Sequence, residues 1–173
     1  AANDNALHTL LSPVADSLET ISLEAVGWIR SSSRLLPRMS RLTSLSLADV
    51  GAFPGFLLDP VANDATYPAL RSLSVRSSVS WLGMSASAFW ELTTLRQLRC
   101  VRLIRCCLLG RQPGEIAPTF RRLSEQLTEL AIDRSQLKFT KLPKFAPCLR
   151  VLSLAGALKV SARDLSRLLS SCA

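Results

Sequence analysis

Histidine is almost missing from this chain of 173 residues, with His8 the only one. A single histidine excludes a His-based metal cluster. Its place near the N-terminus leaves a Ser-His-Asp triad without a centre. Cysteine occurs five times, at Cys100, Cys106, Cys107, Cys148 and Cys172, and no C-x-x-C pair occurs. The odd count and the spacing argue against a disulfide framework and against a zinc site. Free thiols in a reducing compartment are expected, in the cytoplasm or an organelle interior such as the mitochondrion. A cysteine nucleophile would need a paired base. The seven glycines are scattered, so no phosphate-cradling glycine loop is present. No uncharged apolar run approaches the length needed to cross a bilayer. Ala1 to Leu11 has neither the basic cluster nor the long apolar run of a targeting segment. The chain does not begin with Met, which leaves two readings open, a processed mature form or a fragment of a longer protein.

Aromatic residues make up 6% against 48% for all apolar types, so leucine and small aliphatics must pack the interior. The net charge of +8 is unevenly spread. Residues 1–64 carry seven acids and four bases, and residues 65–173 carry six acids and seventeen bases. A basic C-terminal part suits RNA, an anionic membrane surface or an acidic protein. It also suits plain solvation in a chain rich in arginine.

The leucines are phased. In Leu92 to Cys106, apolar residues fall at Leu92, Leu95, Leu98, Val101, Leu103 and Cys106, a spacing that suits neither a plain helix nor a plain strand. The same -x-x-L-x-L- phase recurs at Leu18-Ile21-Leu23, Leu42-Leu45-Leu47, Leu70-Leu73-Val75, Leu98-Val101-Leu103, Leu127-Leu130-Ile132 and Leu149-Leu152-Leu154. Successive starts lie 24, 28, 28, 29 and 22 residues apart. In each, the last two apolar positions are two apart and share one face of a strand, while the first turns in from the preceding bend. One such unit cannot bury its own face and needs neighbours.

Leu98-x-x-Val101-x-Leu103-x-x-Cys106 resembles the leucine-rich repeat motif. The resemblance implies an α/β solenoid or horseshoe of six coils, with parallel strands on the concave side and helices or turns on the convex side. The 28- and 29-residue coils are similar to ribonuclease-inhibitor-like and F-box-associated repeats. One domain, 1–173, is expected: an N-terminal helix or cap over 1–17, six repeats over 18–157 and a C-terminal helix over 158–173. The motif's usual Asn or Cys falls at Val26, Val50, Ser78, Cys106, Ser135 and Ala157. Only Cys106 fits, so irregular turns are expected after the strands.

Several helices are expected between strands. Ser85 caps one that runs through Phe89, Leu92 and Leu95. Pro113 to Arg122 leads into another, with Glu115 near its start. Ser161 to Asp164 has capping-box spacing before Leu165, Leu168 and Leu169. Arg30 to Arg41 is a weaker helix, interrupted by Pro37. Asn5 to Leu11 reads as a helix with Leu7, Leu10 and Leu11 inward. Gly51 to Pro68 and Gln136 to Pro147 read as non-helical connectors.

The strand phase also predicts a partner-binding face, made of the side chains that alternate with the core. Ser46, Ser72, Ser74, Arg76, Arg102, Glu129 and Asp133 are its chief members, on a face that is small, polar and poor in aromatic anchors. A basic patch is expected from Lys138, Lys141, Lys144, Arg150, Lys159 and Arg163. No catalytic residue, metal or cofactor is expected. The function expected is a non-enzymatic protein–protein interaction module, as a subunit or adaptor in a larger assembly. Two alternatives stay open: a basic RNA-contacting subunit of a ribonucleoprotein or organellar complex, and, by resemblance to F-box-type repeats, the substrate-recognition part of a ubiquitin-ligase adaptor. No membrane span is expected. With no seventh L-x-x-L-x-L after Leu149, the C-terminal end is expected to be covered by another chain or by further repeats.

Overall fold

The computed structural model describes residues 6–24, 36–49, 67–78, 82–85, 90, 92–109, 119, 121–123, 125–134 and 148–156; for 6, 82–85 and 107–109 only the backbone is described. The main feature is an all-parallel sheet of six strands. They are β1 (Thr20–Glu24), β2 (Ser44–Ala48), β3 (Ser72–Arg76), β5 (Cys100–Ile104), β7 (Glu129–Asp133) and β8 (Val151–Ser153), paired in that order. Two further strands, β4 (Leu82–Ser85) and β6 (Cys106–Leu109), form a small parallel sheet of their own.

Each leucine triplet read from the sequence maps to one strand of the main sheet, with its first leucine two residues before the strand and its second apolar residue inside it, and no pairing slips. Ile21 lies beside Leu45, Leu45 beside Leu73, Leu73 beside Val101, Val101 beside Leu130 and Leu130 beside Leu152. The side-chain period of a strand is two, so a slip of one residue would carry each of these to the opposite face. Leu42, Leu70, Leu98 and Leu127, the first leucines of four triplets, are essentially fully buried. Those of the two end strands, Leu18 and Leu149, are only partly buried against the same core. A partly bare leucine layer at an edge strand follows from its having a neighbour on one side only.

The backbone enters each strand the same way. The carbonyl of the residue before one strand accepts two N–H groups at the entry of the neighbouring strand. Glu19 O takes Thr43 and Ser44, Thr43 O takes Arg71 and Ser72, and Arg71 O takes Arg99 and Cys100. Arg99 O then takes Thr128 and Glu129, and Thr128 O takes Arg150 and Val151. The exit is nearly as uniform. Asp49, Arg105, Arg134 and Gly156 share one position, five residues after the strand's first residue, and all have positive φ. The turns are thus more alike than the missing Asn predicts. In the third register Ser77 fills that position outside the left-handed group, with its N–H on Ile104 O.

Side-chain polar groups take over at these exits. The Asp49 carboxylate accepts the Ser78 N–H at 2.5 Å and the Ser78 hydroxyl at 2.7 Å. Arg105 donates to the Ser78 carbonyl. Cys106 is buried, and its thiol faces the carbonyls of Val75 at 3.8 Å and Ile104 at 3.7 Å. The left-handed Arg105 separates β5 from β6 and turns the chain out of one sheet into the other.

Helices are few. The helix α1 (Ala6–Leu11) lies within the segment read as helical, followed by a 3₁₀ turn over Ser12–Val14. Its side chains correct the expectation in part. Leu7 and Leu11 pack on the core, but Leu10 is 72% exposed, because six residues give less than two turns and only one face can reach the sheet. Ser85 is the last residue of β4, Trp90 is helical and Leu92–Thr94 form a 3₁₀ turn, while 86–89, where the helix expected after Ser85 falls, lie outside the described residues. Thr119 and 121–123 are helical, as read, with Leu123 fully buried. Residues 36–41 form bends and turns rather than helix. The expectations for 25–35, 51–66, 136–147 and 161–171 lie outside the described residues. Among the described residues no helix is long and apolar enough to cross a membrane.

Candidate interaction surface

Three rows of side chains cross the open face of the main sheet. The first holds Thr20, Ser44, Ser72, Cys100, Glu129 and Val151. The second holds Ser22, Ser46, Ser74, Arg102, Ala131 and Ser153. The third holds Glu24, Ala48, Arg76, Ile104 and Asp133. All seven residues expected on the partner-binding face are therefore brought together on one sheet. Ser46, Ser72, Ser74, Glu129 and Asp133 are half-buried, and Arg76 and Arg102 are exposed.

The charges on this face are matched to one another. Arg102 Nε donates to Glu129 Oε1 at 2.6 Å on the neighbouring strand. This hydrogen bond holds the Glu129 carboxyl below its ordinary range and the Arg102 guanidinium above its own. Arg76 reaches over β2 to Glu24 on β1, Nη2 to Oε1 at 3.4 Å. Asp133 accepts the Ser153 hydroxyl at 2.6 Å and the Ala155 N–H at 3.1 Å. Cys100 sits between Ser72 and Glu129, and desolvation pushes its thiol above the usual range. Two small residues assigned to this face are buried instead. Ala48 lies in the row between Glu24 and Arg76, and Ala131 lies between Arg102 and Ser153. At Ala48 the two longer neighbours meet across the methyl group.

The expected basic patch is mostly beyond view, since Lys138, Lys141, Lys144, Lys159 and Arg163 lie outside the described residues. Arg150, its remaining member, is exposed at the entry of β8. There it joins residues that the sequence reading passed over. Arg71, Arg99, Thr128 and Arg150 each stand one residue before a strand of the main sheet, linked by the backbone bonds of the entry ladder. Arg121 and Arg122 are exposed on the segment leading to β7, and Arg122 lies over the Trp90 ring at 5.8 Å. The signal was available: the position directly before the strand is arginine in three of the six registers.

Among the described residues no group of three or more His, Cys, Asp or Glu side chains is arranged to hold a metal ion. Cys100, Cys106 and Cys148 are free thiols, half-buried, buried and exposed respectively. Compared with family models, with curated proteins and with solved structures, the chain matches none of them.

Proposed function

We propose that the chain is a leucine-rich-repeat solenoid that acts as a non-enzymatic protein–protein interaction module, a subunit or adaptor within a larger assembly in a reducing compartment. One observation carries the reading. The open face is a set of parallel strands in unbroken register, carrying small hydroxyl side chains on β1 to β3 and charges paired across strands, Arg102 with Glu129 and Arg76 with Glu24. Small side chains let a partner's backbone or helix approach closely, and charges already paired do not have to be stripped of water alone when it does. A pre-ordered sheet also loses little conformational entropy on binding. The placement of Cys106 supports the repeat assignment, because its buried thiol faces backbone carbonyls at the turn, as the motif's polar residue does in the family.

The test is a face-directed variant. Ser46→Arg with Ser74→Arg adds bulk and charge on adjacent strands while leaving the leucine layer beneath untouched. Proteins that co-purify with the native chain are expected to be lost from this variant, at unchanged thermal stability. Retention of every partner by a folded double variant would overturn the assignment of the binding face.

A further inference from the structure

Among the described residues, acids and bases pair off on the open sheet face, while a run of arginines lies along the edge by which the chain enters the strands. Arg71 and Arg99 stand on neighbouring coils, with Arg99 N–H on Arg71 O at 2.8 Å. Thr128 follows, then Arg150, each again bonded at 2.8 Å to the carbonyl before it. With strands about 4.8 Å apart, the row from Arg71 to Arg150 spans about 14 Å in a straight line. Arg99 is braced, its Nη1 donating to the carbonyls of Arg96 and Leu98 at 2.9 Å each. Among the described residues Arg71 and Arg150 form no ion pair. The segments that lead into β3, β5, β7 and β8 also carry Arg96, Arg121 and Arg122, against the single described acid Glu125. At the other end of the same edge the sign reverses, where Glu19 pairs with Arg41 at 3.3 Å.

We propose that this entry edge binds the phosphate backbone of single-stranded RNA, at a site separate from the sheet face and independent of the reading of that face. Three features select this partner. Every described cation along this edge is an arginine, whose planar fork matches phosphate oxygens two at a time. A straight single row about 14 Å long can follow one strand, whereas a duplex offers two diverging backbones. Trp90 leaves 42% of its surface exposed, with the Arg122 guanidinium over its ring, which makes a stacking platform for an unpaired base. An acidic peptide would satisfy the arginines but gain nothing from the aromatic face.

The test is fluorescence anisotropy of the full chain with a labelled oligouridylate across a salt series. Engagement of about three phosphates by Arg71, Arg99 and Arg150 gives a slope of about −2 in log K against log salt, so a fourfold rise in salt weakens binding about 20-fold. Arg71→Ala with Arg150→Ala should flatten the slope to about −0.7. Arg71→Lys with Arg150→Lys should keep the slope, because the charge remains. Trp90→Ala should weaken binding about fivefold or more with the slope unchanged. Arg76→Ala, on the sheet face, should leave both quantities as they are. Salt-independent binding, or equal affinity in the Arg71/Arg150 alanine variant, would overturn the proposal. Binding of polyglutamate in place of RNA would overturn it in favour of an acidic protein partner.

Discussion

Replacing Leu98 by alanine should remove far more stability than the same change at Leu149. Both are the first leucine of their triplet, but Leu98 is fully buried in the core before β5 while Leu149 is only partly buried before β8. Deleting three heavy atoms from a fully enclosed leucine removes their transfer free energy and leaves a cavity, together about 2–5 kcal/mol. Leu149 loses less transfer free energy, and water or side-chain shifts fill the gap, so its change should be about half of that or smaller. Against a total of about 5–15 kcal/mol for a domain, the Leu98 variant gives up a large share. Leu98→Asp goes further, because it buries a carboxylate without a partner, and the middle of the sheet should not form. The assay is urea denaturation followed by far-ultraviolet circular dichroism, with the slope of the transition checked for constancy. In a chain of this size each kcal/mol should also move Tm by about 2–4 °C. Equal losses at Leu98 and Leu149, or a Leu98→Asp variant with native stability, would refute the assignment of a continuous leucine layer that is deepest in its central coils.

Two other outcomes are expected. Gly156→Ala places a Cβ at 3.4 Å from Arg134 Cγ on a backbone with φ of +64°, and should lose about 1–2 kcal/mol in denaturation from the left-handed conformation alone. The Ser78 backbone N–H, then its hydroxyl, hold the Asp49 carboxyl below its ordinary value of 3.8, so this contact contributes stability above that pH and loses it as pH falls through the lowered folded value; acid denaturation of Ser78→Ala, which removes the hydroxyl part, should show a shallower loss of stability over that window.

The strand positions and their register were legible because burial on one face of a strand enforces a period of two. Ile21-x-Leu23 and Leu45-x-Leu47 state that period directly, and the leucine two residues before each strand marks where the bend turns in. The members of the partner face followed from the same alternation. The burial of Ala48 was not legible, since it depends on Arg76 and Glu24 meeting across β2, an event between residues 52 apart in the chain. The strand at Leu82–Ser85 was hidden for a similar reason, because its stability comes from a partner in the next coil rather than from its own pattern. The arginine row escaped attention because its members lie tens of residues apart in the chain, each before a different strand, and only the sheet brings them onto one edge. Leu10 was misread because an i, i+3 pattern gives the phase of a helix but not how many of its turns reach the core.

The doubled hydrogen bonds that link successive strand entries of the main sheet and the left-handed residues after β2, β5, β7 and β8 hold both ends of those four strands. Whatever lies between one exit and the next entry is then a segment whose two ends are already fixed in space. Strand starts lie 24, 28, 28, 29 and 22 residues apart, yet no pairing is displaced. For a segment with pinned ends the closure entropy grows only as the logarithm of its length, so the longest and shortest spacings differ by about 0.2 kcal/mol on that account. Residue insertion between strands is therefore nearly neutral for the sheet, whereas one residue added inside a strand would invert its faces. Sequence drift in such a chain should accumulate as length changes in the connectors, and a foreign peptide grafted there should be carried without disturbing the leucine layer.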